Sequence, residues 1–198
     1  LLALKRWVQT IVYLPHFLSW VILSNIIIDM LRLDGIVNSG LKLLGIEPIM
    51  FLASNRWFPP LVVFSDVWKD FGFNAIIYLA ALTGIHPSLH EAAAIDGAGK
   101  LKRLMHVTLP GIAPTVVLLA TLGIGNVLNA GFDQIFNLYN PMVYEWGDII
   151  DTYVYRAGLV QAQFGLAAAV GLMKSAIAFA LILISYRLAA KYANYRIF

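Results

Sequence analysis

Cysteine is absent from this chain of 198 residues, which excludes disulfides, thiolate metal sites and a cysteine nucleophile together. Charge is scarce as well: Asp, Glu, Lys and Arg supply 13% of the residues against 60% hydrophobic ones, and the mean hydropathy is +0.77. So little polar surface does not cover a water-soluble globule, and the chain reads as a membrane protein. The formal net charge of +3 is too small and too localised for a nucleic-acid groove, so nucleic acid is excluded as a partner. No Gly-x-x-x-x-Gly-Lys-Ser/Thr loop occurs; Lys174-Ser175 follows Met173 inside an apolar stretch and makes no phosphate cradle. His86 and His90 have the spacing of a helical metal pair, but Pro87 disfavours helix at His86, and no metal site is expected. Asp148 and Asp151 lack a nucleophile or an implied pocket, so no catalytic residues are assigned. The first residue is Leu1 rather than Met, and an upstream part of the natural chain is expected to precede it.

What remains is apolar. Four stretches, Val8 to Leu33, Pro60 to Ile85, Ile112 to Gly131 and Phe164 to Ala190, are each long enough to span, given about twenty apolar residues per crossing. The predicted class is therefore an all-α polytopic membrane protein. Basic residues fall on alternate connections: Lys5 and Arg6 before the first stretch, Lys100, Lys102 and Arg103 between the second and third, Arg187, Lys191 and Arg196 at the end. The positive-inside bias makes both termini and the middle loop cytoplasmic. The connections Asp34 to Pro59 and Phe132 to Gln163 then face outside, where rings such as Trp57, Tyr144, Trp146 and Tyr153 either anchor at headgroup level or meet a ligand.

The second stretch is interrupted by Ser65, Asp66, Lys69 and Asp70. Either its helix starts near Asp70 after an interfacial segment, or the charges face a bundle interior or cavity, because charge against lipid is costly. Ala167, Gly171 and Ser175 repeat a small residue every fourth position, a stripe suited to close helix packing. Amides and rings gather where the third stretch leaves the membrane: Asn126, Asn129, Asp133, Gln134 and Asn137 with Phe132. They suit either a sugar, whose hydroxyls need hydrogen-bond partners and whose C–H faces stack on rings, or helix-to-helix bonding. Lys174 falls near the middle of the fourth stretch and pairs inside the bundle or meets an anionic cargo.

The connection from His86 to Pro110 is the least membrane-like part of the chain. Ser88 and Glu91 have the spacing of a capping box, Ala92 to Ala94 propagate a helix cheaply, and Gly97 permits the left-handed backbone that stops it. A second helix is predicted from about Lys100 to Thr108, ended by Pro110.

Glu91-Ala92-Ala93-x-x-Asp96-Gly97-Ala98, followed by Leu109-Pro110 and Pro114, resembles the EAA loop of permease subunits in bacterial binding-protein-dependent ABC importers. The wider pattern, Asp148-Ile-Ile-Asp-Thr-Tyr-Val-Tyr-Arg156 and then Phe164-Gly165, resembles the carbohydrate branch, especially the polysaccharide and oligosaccharide permeases. Leu101 and Leu104 stand where that family often has Trp and Phe.

The resemblance implies a type I permease fold, with about four spans here and a core of about six in the full chain. It further implies one transmembrane domain over 1–198, a coupling loop at 86–110 and an extracytoplasmic loop at 132–163. The chain would sit in the bacterial cytoplasmic (inner) membrane and hold no cofactor, ATP and Mg being bound by a partner ATPase. Its partners would be two cytoplasmic ATPase subunits, a second permease forming a heterodimer, an extracytoplasmic solute-binding protein, lipid and a carbohydrate. ATPase coupling falls to Glu91, Ala92, Ala93, Asp96, Gly97, Ala98, Leu109 and Pro110. The substrate path falls to Asn126, Asn129, Phe132, Asp133 and Lys174, and binding-protein docking to Asp148, Asp151, Tyr153, Tyr155 and Arg156. A proton-coupled secondary transporter, with Asp66, Asp70 and Lys174 as titrating groups, is the alternative.

Overall fold

The computed structural model describes residues 2–192. Arg196 and the side chains of Lys5, Arg6 and Lys191 lie outside the described residues, so of the terminal charges used for topology only Arg187 is described. Every regular element described is helical. In chain order these are α1 (Leu2–Phe17), α2 (Trp20–Leu31), α3 (Ile36–Leu43), α4 (Phe58–Thr83), α5 (Pro87–Ile95) and α6 (Lys100–Arg103). There follow α7 (Leu109–Gly125), α8 (Phe132–Leu138), α9 (Tyr144–Gly147), α10 (Ile150–Tyr155) and α11 (Phe164–Tyr192). The chain forms two compact units, one from residues up to Phe73 with Asn129–Leu172, the other from Asn74–Leu128 with residues from Met173 onward.

Among the described residues two helices, Lys100–Gly125 and Phe164–Ala190, are long and apolar enough to cross a membrane, and a third is added if the bent pair Val8–Phe17 and Trp20–Leu43 counts as one. Two of the four apolar stretches depart from a plain apolar span. The first stretch is broken by 108°, because Pro15 lies in the last turn of α1 and Ser19 restarts the chain, its Oγ accepting from the Ile22 N–H at 3.4 Å. The second is one unbroken helix from Phe58, so it does not begin near Asp70; Asp66, Lys69 and Asp70 fall within it and deprive it of a uniformly apolar window.

Those charges hold the break in place. Lys69, 8% exposed, donates from Nζ to the carbonyls of His16 (2.7 Å), Leu18 (3.0 Å) and Pro15 (3.4 Å). An ammonium there satisfies acceptors that the end of α1 leaves open and complements the negative end of its dipole. The Trp20 ring lies 5.6 Å from the same Nζ. One residue on, Asp70 pairs with His16 Nδ1 at 2.9 Å, and the His16 ring stacks on Phe73 at 3.9 Å. Gly72 completes the crossing, since a Cβ there would strike the Val12 carbonyl.

The apolar core of the first unit is Phe58, Leu138 and Val143, packed against Ile27, Ile28, Leu52, Leu61, Val62 and Tyr139. Two buried amides tie its backbone. Asn38 donates to the carbonyls of Leu31, Arg32 and Ile49 and accepts from the Ile49 N–H. Gln134 donates to the Val62 carbonyl at 2.8 Å and to Ser65 Oγ at 2.9 Å.

In the second unit α5 ends on α6, which continues through a wide π turn (Leu104–Thr108) into α7. Pro110 therefore does not end the loop helix. The π turn moves the backbone bonding off the usual i to i−4 register just where Pro110 offers no N–H, and loop and span become one rod. The rod stops at Gly125, so the third stretch loses its last turn and Asn126 becomes a C-cap.

Candidate functional site

Three groups of residues carry the chemistry: the loop 86–110, the segment 132–163, and polar side chains on or beside the long helices.

The loop is built around α5. Its N-cap is His86, whose Nδ1 accepts from the Ser88 N–H at 3.4 Å and lies 2.7 Å from Ser88 Oγ. The predicted Ser88–Glu91 box is therefore displaced: Pro87 at the first turn starts the helix two residues earlier, and the Ser88 hydroxyl is turned to the histidine. The helix ends as the sequence predicts. Gly97 sits at φ +74°, its N–H donates to the Ala94 carbonyl at 3.1 Å, and the Ala98 N–H reaches the Ala93 carbonyl at 2.9 Å, a Schellman closure. Glu91, Ala92, Asp96 and Gly97 are exposed, and Ala93 and Ala98 are half-buried toward α6 and the π turn. Leu89 is 54% and Ile95 87% exposed; with Ala92 they recur every third residue along one side of α5, an apolar face with a small centre. Leu109 and Pro110 open α7.

The segment 132–163 is internally braced. Arg156 forks onto Asp148, Nη2 to Oδ2 at 2.5 Å and Nη1 to Oδ1 at 3.2 Å, while Thr152 Oγ1 donates to Asp148 Oδ1 at 2.6 Å. Burial alone would raise the Asp148 carboxyl, but the Arg156 fork, the Thr152 hydroxyl and the guanidinium charge together hold it below the ordinary carboxylate range. The same fork keeps Arg156 more firmly protonated, and burial pushes the Tyr139 hydroxyl up. The guanidinium lies over the Tyr144 ring at 4.4 Å. Rings then run in series: Phe132 on Phe136 at 5.2 Å, Tyr155 edge-on to Phe136 at 4.8 Å, and Tyr139 against Tyr144 at 5.0 Å. Asp148, Arg156 and Tyr155 are thus engaged with neighbours in the segment, Tyr153 and Trp146 are exposed, and Asp151 is half-buried.

The polar residues of the suggested path are divided. Asn126 and Lys174 belong to the second unit, whereas Asn129, Phe132 and Asp133 belong to the first. Asn126 donates to the Leu122 carbonyl of its own helix at 3.3 Å. Asp133 is exposed in the first turn of α8, and Asn137 bonds back to its carbonyl at 2.6 Å. Gln134, grouped with the sugar-suited amides, is buried and spends its donors on α4. Lys69 is one of the charges for which the sequence left an interfacial start or an inward-facing placement open, and it is buried; its carbonyl cage is announced only by Pro15 followed four residues later by a capping Ser19. No group of three His, Cys, Asp or Glu stands close enough to hold a metal ion among the described residues.

Comparison with known proteins places this geometry. The family described as "Binding-protein-dependent transport system inner membrane component" matches residues 2–194. The Polygalacturonan/rhamnogalacturonan transport system permease protein YteP of Bacillus subtilis (strain 168) is 43% identical over 191 residues, 96% of this chain and 60% of that protein. Two crystal structures superpose closely, each at 38% identity and over 96% of this chain. One, a bacterial alginate ABC transporter in complex with alginate pentasaccharide-bound periplasmic protein, has a TM-score of 0.92 over 66% of the matched chain. The other, a bacterial ABC transporter involved in the import of the acidic polysaccharide alginate, has a TM-score of 0.93 over 67% of it. The chain spans about 60% of the length of the curated relative it matches.

Proposed function

This chain belongs to the family of binding-protein-dependent transport system inner membrane components, and on that premise we propose that it is the membrane-spanning, non-catalytic subunit of an ATP-driven importer of an acidic oligo- or polysaccharide. The observation that carries the reading is α5, a short helix stopped hard at Gly97 and presenting Leu89, Ala92 and Ile95 to solvent at the base of a membrane-length rod. Such a helix fits a groove on a cytoplasmic ATPase pair, which binds the ATP and Mg and drives the rod. Glu91, Asp96, Gly97 and Ala98 flank the contact, and Leu109 and Pro110 carry it into α7.

The cargo class is supported by the relatives, whose substrates polygalacturonan and alginate are acidic polymers. It is supported also by Lys174, half-buried about 15 Å along α11 from Phe164, a cation placed to meet a carboxylate in transit. For the path, the second unit offers the amide of Asn126, and the first unit offers the amide of Asn129, the ring of Phe132 and the carboxylate of Asp133. The segment 132–163, with Tyr153, Trp146 and Asp151 on its surface, is the face for an extracytoplasmic saccharide-binding protein, and a second, non-identical permease completes the path. In this orientation the loop 86–110 and both termini are cytoplasmic.

Reconstitution of the full-length permease with its partner subunits in liposomes tests the proposal. ATP hydrolysis should rise when saccharide-loaded binding protein is added. Uptake that persists without any ATPase subunit would overturn it in favour of a secondary transporter.

A further inference from the structure

Beside α5 lies a cleft of about 340 Å³, lined by Ala93, Ala98, Lys102, Arg103, His106 and Val107. One wall is methyl groups, the other is cationic, and no carboxylate borders it. Neither Lys102 nor Arg103 forms an ion pair among the described residues, and Arg103 Nε is buried with no hydrogen-bond partner. His106 Nδ1 is committed to the Lys102 carbonyl at 3.0 Å, which fixes the ring and leaves Nε2 as its open nitrogen. A buried guanidinium nitrogen without an acceptor costs free energy until an anion arrives, and a planar fork beside an ammonium matches phosphate oxygens.

The level of the cleft on the rod says where that phosphate comes from. His106 stands three residues, about 4.5 Å, before Leu109, where the apolar length of α7 begins. The cations thus lie at headgroup depth, just outside the hydrocarbon. Leu101, Leu104 and Met105 are exposed on the same stretch, an apolar surface suited to the first carbons of an acyl chain. A free anion would need only the charges, whereas a lipid uses both surfaces.

We propose that this cleft binds the phosphate of an anionic phospholipid headgroup, tying the coupling loop to the charged inner surface of the membrane. The proposal rests on the orientation given above only for which leaflet is involved. Each basic residue near an anionic headgroup strengthens binding about fivefold, so the pair together contributes roughly 25-fold.

The test uses purified full-length permease in neutral detergent, with short-chain phosphatidylglycerol as probe, diacylglycerol of the same chain length as phosphate-free control, and native mass spectrometry as readout. Phosphatidylglycerol should bind more tightly than diacylglycerol. The variant K102Q/R103Q should weaken it roughly 25-fold while leaving diacylglycerol unchanged, and the swap K102R/R103K should keep the preference. Equal binding of both lipids, or loss in the swap as severe as in the neutral variant, would overturn the assignment. Displacement by inorganic phosphate at equal concentration would overturn the lipid source in favour of a free anion. Unchanged lipid binding by K102Q/R103Q together with lost ATPase association would reassign the pair to an acidic side chain of that partner. Neither cargo nor ATP turnover enters the lipid measurement, so failure of the transport reading leaves its outcome readable.

Discussion

Replacing Lys69 by Met keeps the length and most of the volume of a side chain that is nearly buried, and removes only the ammonium. In the native protein that group holds the carbonyls of His16 and Leu18 at 2.7 and 3.0 Å; the Pro15 carbonyl keeps a second partner, the Leu18 N–H at 3.2 Å. Two carbonyls therefore lose their donor at a buried bend. Each unsatisfied acceptor costs about 1–3 kcal/mol. Relief of the ammonium's own burial offsets part of this, leaving a net loss of about 2–4 kcal/mol, or roughly 5–15 °C in Tm for a chain of this size. The measurement is thermal unfolding of the full-length permease within its transporter, followed by size exclusion after heating. Lys69→Arg, which keeps a cation and several donors, should lose less, and Asp70→Asn should not reproduce the effect because Asp70 bonds a ring and not the bend's backbone. A Lys69→Met protein as stable as the parent but unable to transport would refute the reasoning and make Lys69 a cargo or ion ligand.

Four further outcomes are expected. If the exposed face of α5 docks as proposed, Ala92→Trp should abolish uptake while membrane insertion is kept, measured by transport and by membrane-fraction abundance, because a small contact has no room for a ring. Asp148→Asn should destabilise the outer segment by about 1–3 kcal/mol. The folded carboxyl titrates below its unfolded value, so the pair's contribution is complete above about pH 4 and fades as pH falls through the folded value; a pH series of unfolding midpoints should lose that acid limb in the variant. Lys174→Met should depress uptake of an acidic saccharide by about tenfold, the value of one charge-assisted contact, and that of a neutral one far less, in paired transport assays. Single cysteines at positions 126 and 129 should react with a hydrophilic maleimide and be protected by cargo.

The sequence was legible wherever one residue type has one physical use. Gly97 stops α5 because the left-handed backbone it adopts is closed to its neighbours, and the EAA pattern around it marks the loop. It was less legible where two signals competed. Ser88 and Glu91 satisfy a capping rule, yet Pro87 with His86 caps first. Hydropathy runs smoothly from Val8 to Leu33, hiding a break that only Pro15 and Ser19 announce, and the charges that brace it lie more than fifty residues away in α4. The outer segment shows the same limit from the other side. Asp148 and Arg156, eight residues apart, read as surface charges for a partner, and nothing in their spacing reveals that α10 folds them onto each other. Gln134 is equally ambiguous in a row of amides until α4 supplies its acceptors.

Because the loop helix α6 and the third apolar stretch are one rod from Lys100 to Gly125, the π turn and α7 follow α6 as parts of a single shaft. Its length is about 39 Å, so a tilt of about ten degrees applied at Lys100 displaces the far end by roughly 7 Å. Asn126, which caps that far end, travels with it. The π turn at Leu104–Thr108 is one softer collar near the Lys100 end, and Pro114, which has no N–H to bond back one turn, is a second inside α7. A small rotation at one end of such a lever becomes a large displacement at the other without any element having to unfold.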